Sequence, residues 1–210
     1  MILNINKPAG MTSHDVVDKI REITGEKRVG HAGTLDPFAT GVLVVAVGRE
    51  DTKKLGAINE NSKKEYEAMI EFGKTSSTGD PTGTIHETRT MKHIDETELR
   101  GILKKFTGEI TQTSPAYSAV RVRGTRAYKL ARKMIPVTMP KRLVTIYEIE
   151  LLAFTPPFAK LRVVCSAGTY IRTLVEDIAK ALGTGAYTKE LVRTRVGNYK
   201  IADSKTLESL

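Results

Sequence analysis

"GHAGTLDPFATG" occupies Gly30–Gly41 and holds three glycines, one proline, one histidine and a single acid, Asp36. Glycine and proline at this density break both helical and strand periodicity, so the stretch reads as a loop between two regular elements. Upstream, "TSHDVVDKIREITG" (12–25) reads as a helix. Thr12 or Ser13 supplies the N-cap oxygen, Gly25 supplies the stop, and Val16, Val17, Ile20 and Ile23 share one face. Downstream, "GVLVVAVG" (41–48) is a short, continuous β-branched run, the pattern of a buried strand. The loop thus joins a helix to a core strand.

Outward from that frame, "ILNIN" (2–6) opens the chain as a strand. "EYEAMIEF" (65–72) alternates, with Tyr66, Ala68, Ile70 and Phe72 on one side and Glu65, Glu67 and Glu71 on the other, as a half-buried antiparallel strand does. "GKTSSTGDPTG" (73–83) is turn-rich and reads as an excursion. "DETELRGILKKFTG" (95–108) is an amphipathic helix capped by Asp95, with Leu99, Ile102, Leu103 and Phe106 inward. "RAYKLARKM" (126–134) is a short helix, two strands lie near 144–154 and 160–166, and "TYIRTLVEDIAKALG" (169–183) is a helix followed by "TKELVRTRVGNYK" and a short tail. Strands and helices do not alternate strictly. That points to an α+β fold with a mixed, mostly antiparallel sheet flanked by helices, not a doubly wound parallel one. No fixed-period repeat is present.

The chain has 210 residues, which suits one sizeable domain or two small ones, and the expectation is a single domain over 1–210. The lone Cys165 excludes an internal disulfide framework. The start "MILNINKPAG" lacks the basic and apolar regions of a signal peptide, and "VLVVAV" is far too short to cross a bilayer. These features lead to the expectation of a cytoplasmic protein with no membrane partner. The net charge is +9 and is unevenly placed. Between Glu109 and Glu148 there is no acid, while Arg121, Arg123, Arg126, Lys129, Arg132, Lys133, Lys141 and Arg142 all fall there. Such a segment is either a solvated basic face or a surface for a polyanion, and an acid-free window this long favours nucleic acid.

Several chemistries are excluded. "AMIEFGKT" (68–75) fits a loose phosphate-loop pattern, but Met69–Phe72 alternate as a strand and "SSTGDPTG" cannot start the helix such a loop requires. His14, His31, His86 and His93 show no familiar ligand spacing, and one cysteine cannot build a thiolate site, so no metal is expected. No nucleophile elbow supports Ser-His-Asp catalysis. Asp36 before Pro37 has two readings. Asp-Pro starts turns through a carboxylate-to-backbone bond, and a rigid glycine-flanked turn also presents a carboxylate to a ligand whose approach Gly33 permits.

A resemblance bears on the choice. "NKPAGMTSHDVV" (6–17), "GHAGTLDPFATGVLVVAVG" (30–48), "KEYEA" (64–68), "SAVRVRGTRAYKLAR" (118–132) and "AGTYIRTLVEDIAKALGTGAY" (167–187) occur in this order and resemble the TruB family of tRNA pseudouridine synthases, which isomerise uridine 55 in the T loop. The resemblance covers nearly the whole chain. Val44 and Val192 stand where the family often has Pro and Arg, and Arg121 where Lys is usual; none of these touches the catalytic matches. Many members continue into a small C-terminal RNA-binding domain, so the ending "SKTLESL" leads to the expectation that this domain is absent.

What the resemblance implies is a pseudouridine synthase fold and a tRNA T-arm substrate, with Asp36 as the catalytic carboxylate. Tyr66 packs on the flipped base, and Arg172 pairs with the carboxylate. His31 occupies the space the base has left, and Tyr170 and Leu191 wall the pocket. Lys7, Gly33 and Thr34 are further candidates for substrate contact. The basic segment about 117–142 resembles a thumb that clamps the T arm through Arg121, Arg123, Arg126, Arg132 and Lys133. RNA-guided relatives lack that insertion, so the expected enzyme is a monomer that needs no guide RNA. Because the isomerisation adds and oxidises nothing, no cofactor is expected.

Overall fold

The computed structural model describes residues 1–88 and 94–210; His93 lies outside them. The chain forms two compact units, one of residues 1–67, 164–167 and 190–210 and one of residues 68–163 and 168–189. In chain order the elements begin with β1 (Ile2–Lys7), α1 (Ser13–Thr24), β2 (Val29–Ala32), β3 (Thr40–Val47), α2 (Arg49–Thr52), α3 (Leu55–Asn61) and β4 (Lys64–Phe72). They continue with β5 (Lys74–Ser76), β6 (Ile85–Glu87), α4 (Glu96–Lys105), β7 (Gly108–Thr113), β8 (Arg121–Val122), β9 (Thr125–Arg126) and α5 (Ala127–Arg132). The last are β10 (Lys141–Thr155), β11 (Phe158–Cys165), α6 (Ile171–Ala181), β12 (Ala186–Val196) and β13 (Tyr199–Lys200).

In the first unit β1, β3, β12 and β4 lie side by side in that order, with β2 also on β3 and β13 on β12. β1 and β2 pair antiparallel with β3, and β12 pairs parallel with it, placing Val192 opposite Thr40 and Arg193 opposite Gly41. The run Val42–Val47 is buried because both of its faces are covered, as continuous apolar strands require. Leu43, Val45 and Val47 pack with Val16, Val17 and Ile20 of α1, while Val42 and Val44 pack with Ala32 and Val196. Burying each such side chain contributes about 1.5–3 kcal/mol.

α1 is punctuated as its sequence dictates. Thr12 is the N-cap in a reciprocal capping box with Asp15, and Gly25 ends the helix in the left-handed conformation at φ 67°. Ile23, expected inward, is 44% exposed because the helix face turns out before its last turn. In the second unit β4, β11, β10 and β7 follow in that order, with β7 antiparallel to β10. Asp95 caps α4, which buries Leu99 and Leu103. The turn-rich 73–83 stretch is not a mere excursion, since β5 and β6 form an antiparallel hairpin around it. Glu71, expected on the open side of β4, is 5% exposed. Its carboxylate is satisfied by the Tyr187 hydroxyl at 2.7 Å and by Lys189 and Lys74 at 3.0 and 2.8 Å. Those donors hold the acid down to about 2 despite burial.

Candidate active site

The stretch Gly30–Gly41 is shorter as a loop than its composition suggests. Gly30, His31 and Ala32 belong to β2, where His31 sits half-buried opposite Val45, and Thr40 already begins β3. The loop proper is Gly33–Ala39. Asp36 opens a tight turn, with the Ala39 N–H donating to the Asp36 carbonyl at 3.1 Å, so the Asp-Pro turn is real. The Asp36 side chain is half-buried, Thr34 is exposed and Leu35 is buried.

What distinguishes this loop is how its backbone is held. Ser13 Oγ donates to the Leu35 carbonyl at 3.0 Å and accepts from the Leu35 N–H at 2.8 Å. The Gly10 N–H donates to the Pro37 carbonyl at 2.8 Å. Lys7 Nζ donates to the carbonyls of Pro8, Met11 and Pro37 at 2.7, 2.8 and 3.3 Å. Arg193 Nη2 donates to the Gly33 carbonyl at 3.0 Å, and its Nε to the Val42 carbonyl at 2.7 Å. Both flanking glycines are obligatory. Gly33 has φ 78° and a Cβ there would sit 2.8 Å from Asn59 Oδ1, while a Cβ on Gly41 would run into the Arg193 backbone carbonyl.

Lys7, a candidate for RNA contact, is instead fully buried, and its ammonium is committed to the three carbonyls. Burial pushes it down to about 8, with Asp36 opposing the shift and Arg193 adding to it. Tyr66 lies on the inward face of β4 and is 6% exposed. Burial raises its phenol, and the nearby Arg193 charge works the other way. Lys64 is also buried, bonded to Asn59 O and Oδ1 at 3.0 and 2.9 Å and pushed down to about 8 by burial and by Arg193. Leu191 is buried on β12, two residues from Arg193 and on the same side of the strand.

In the second unit the start of α6 is held just as firmly. Tyr170 is its N-cap residue, and Gln112 clasps it, accepting from the Tyr170 N–H at 3.0 Å and donating to its carbonyl at 3.2 Å. Arg172, 3% exposed, donates to the carbonyls of Thr78 and Tyr117 at 2.6 and 2.9 Å and lies 3.6 Å from the Asp80 carboxylate. Asp80 is itself fixed by Thr78 Oγ1 at 2.7 Å and by the N–H and hydroxyl of Thr82 at 3.0 and 2.5 Å. The β5–β6 hairpin therefore serves to orient Arg172. The basic segment carries the small β8–β9 hairpin and α5, and Arg121, Arg123, Arg126, Arg132 and Lys133 are all exposed there.

Ser13, Arg193, Gln112 and Asp80 escaped sequence reasoning. Each is a polar residue buried by partners distant in the chain, and only the strand alternation that links Arg193 to Leu191 carried a local signal.

The model for TruB family pseudouridylate synthases, N-terminal domain, matches residues 21–171, and the model for the tRNA pseudouridylate synthase B C-terminal domain matches residues 172–210. The tRNA pseudouridine synthase B of Dehalococcoides mccartyi strain CBDB1 is 47% identical over 97% of this chain and 67% of its own length. That of Caldanaerobacter subterraneus is 46% identical over 100% of this chain and 73% of its own. Among solved structures, a Cbf5-Nop10-Gar1 complex matches at 34% identity and TM-score 0.76, covering 99% of this chain and 52% of that one. An archaeal box H/ACA sRNP Nop10-Cbf5 complex matches at 32% and 0.72, covering 99% and 51%. With the mixed, mostly antiparallel sheet, the clamped Asp36 loop and these matches together, the chain belongs to the TruB family of pseudouridylate synthases.

Proposed function

We propose that this chain isomerises uridine 55 in the T loop of tRNA to pseudouridine, as a cytoplasmic monomer that uses no guide RNA. The observation that carries the reading is the Asp36 turn, whose backbone is pinned through Leu35, Pro37 and Gly33. A carboxylate on so rigid a support is preorganised for chemistry, and fixing a reacting group in place removes much of a barrier.

In the proposed reaction the bond from uracil N1 to C1′ breaks, the base turns, and C5 bonds to C1′. The C5 proton leaves and N1 gains one, so atoms and electrons balance without a redox partner. Asp36 either attacks covalently or removes a sugar proton. A stacked uracil must first be flipped out at a cost of about a few kcal/mol, and His31 occupies the vacated space. The Tyr66 ring packs on the flipped base and its hydroxyl serves the C5 proton. Tyr170 and Leu191 wall the pocket, and Gly33 and Thr34 border it. Arg172 pairs with the catalytic carboxylate and keeps it ionised. The exposed arginines and Lys133 of the basic segment bind T-arm phosphates.

A second reading has its own support: solved chains 32% identical sit in H/ACA particles. A bare T-arm stem-loop, incubated with this protein alone, separates the two. Pseudouridine formation supports the proposal, and activity that requires a guide RNA and added proteins supports the alternative.

A further inference from the structure

Three cations are buried in the first unit around one short loop: Lys7, Lys64 and Arg193 at 0%, 4% and 1% exposure. Burying a charge is costly unless its donors are met, so each needs a reason to be there. Lys7 holds the loop from one side, and Lys64 is satisfied by Asn59. Arg193 differs because its partners lie at the two ends of that loop. One guanidinium arm takes the Gly33 carbonyl, where the loop begins, and Nε takes the Val42 carbonyl, just beyond where it ends.

We infer that Arg193 is a positioning residue for the proposed isomerisation, fixing the two ends of the Asp36 loop in one relation. A planar fork with fixed donors can span two carbonyls in a single geometry, and an ammonium on a flexible stem cannot. The strand register makes the arrangement rigid, since Arg193 lies opposite Gly41 in the parallel β12–β3 pair and the close approach there tolerates no side chain on Gly41. The inference rests on the reading of Asp36 given above.

The test compares Arg193→Lys and Arg193→Gln with the unaltered chain. The readouts are single-turnover rate on a T-arm stem-loop, stem-loop Kd and melting temperature. A displacement of about 1 Å at reacting groups costs about 10²-fold in rate. Arg193→Lys should therefore lose about that much while Kd stays within about threefold and the protein remains folded. A fully active Arg193→Lys protein, or rate losses that only follow melting temperature, would overturn the inference. Failure of both variants to fold would likewise reduce Arg193 to a structural residue and overturn it. Asp36→Asn, run alongside, keeps the two levels apart: retained activity there defeats the proposed function itself, whereas an inactive Asp36→Asn with a fully active Arg193→Lys defeats only this inference.

Discussion

Ser13 Oγ and the Leu35 backbone exchange two hydrogen bonds, donating at 3.0 Å and accepting at 2.8 Å, so the first turn of α1 is stitched to the residue before Asp36. Ser13→Ala strands a buried N–H and a buried carbonyl. An unsatisfied buried group costs about 1–3 kcal/mol, and in a domain of this size each kcal/mol lowers the melting temperature by about 2–4 °C. The expected result is a lower melting temperature together with slower turnover. An unchanged rate would mean that the loop keeps its shape without this clasp.

The Lys7 ammonium, lowered from its ordinary 10.5 to about 8 by burial, makes turnover pH-dependent. Its charged form faces Asp36 and Asp15, which favour it, and Arg193, which opposes it. Above about pH 8 the neutral amine has two N–H donors left for three carbonyls, so turnover should fall. Stability moves the other way. Between about 8 and 10.5 the unfolded chain holds more protons at this site than the folded one, so this group's contribution to stability rises with pH across that window. Rate and melting temperature measured from pH 7 to 10 should therefore diverge; a parallel decline of both would contradict the assignment.

Gln112 is predicted to matter for catalysis without touching substrate. Gln112→Leu strands the Tyr170 N–H at the head of α6, two residues from Arg172, and leaves the Tyr170 carbonyl with the Leu174 N–H alone. Stranding that N–H again costs about 1–3 kcal/mol. Thermal melts and single-turnover rates on the same preparation should both decline, with stem-loop affinity changing less than rate.

Replacing Arg121, Arg123 and Arg126 with Ala should flatten the salt dependence of tRNA binding. Each phosphate contact adds about 0.7–0.9 to the slope of log K against log salt, so the triple variant should lose about two units. Affinity should fall by a similar factor for every tRNA. An unchanged slope would place the RNA elsewhere on the protein.

Much of the frame was legible in the sequence because it rests on local signals. The Thr12 and Gly25 caps, the β-branched run of β3, the alternation of β4 and the Asp95 cap of α4 all read directly. β2 was hidden because four residues containing a glycine form a strand only when β3 lies beside them. β7 and the full length of β12 were hidden for the same reason, since their Thr, Arg and Gln positions carry no apolar alternation. For the candidate site, Asp36, Tyr66 and Arg172 were named as expectations by the resemblance. The residues that hold them were not, because Ser13 reaches Leu35 and Arg193 reaches Gly33 across long stretches of chain.

The central claim is that Asp36 performs the chemistry on a loop built to hold it still. Single-turnover pseudouridine formation by Asp36→Asn on a T-arm stem-loop, with Kd measured on the same sample, tests it most directly. Losing an interaction made only in the transition state need not weaken ground-state binding. The account predicts no detectable pseudouridine from a folded variant whose Kd stays within a few-fold of the unaltered chain. Substantial pseudouridine formed by that folded variant would contradict it.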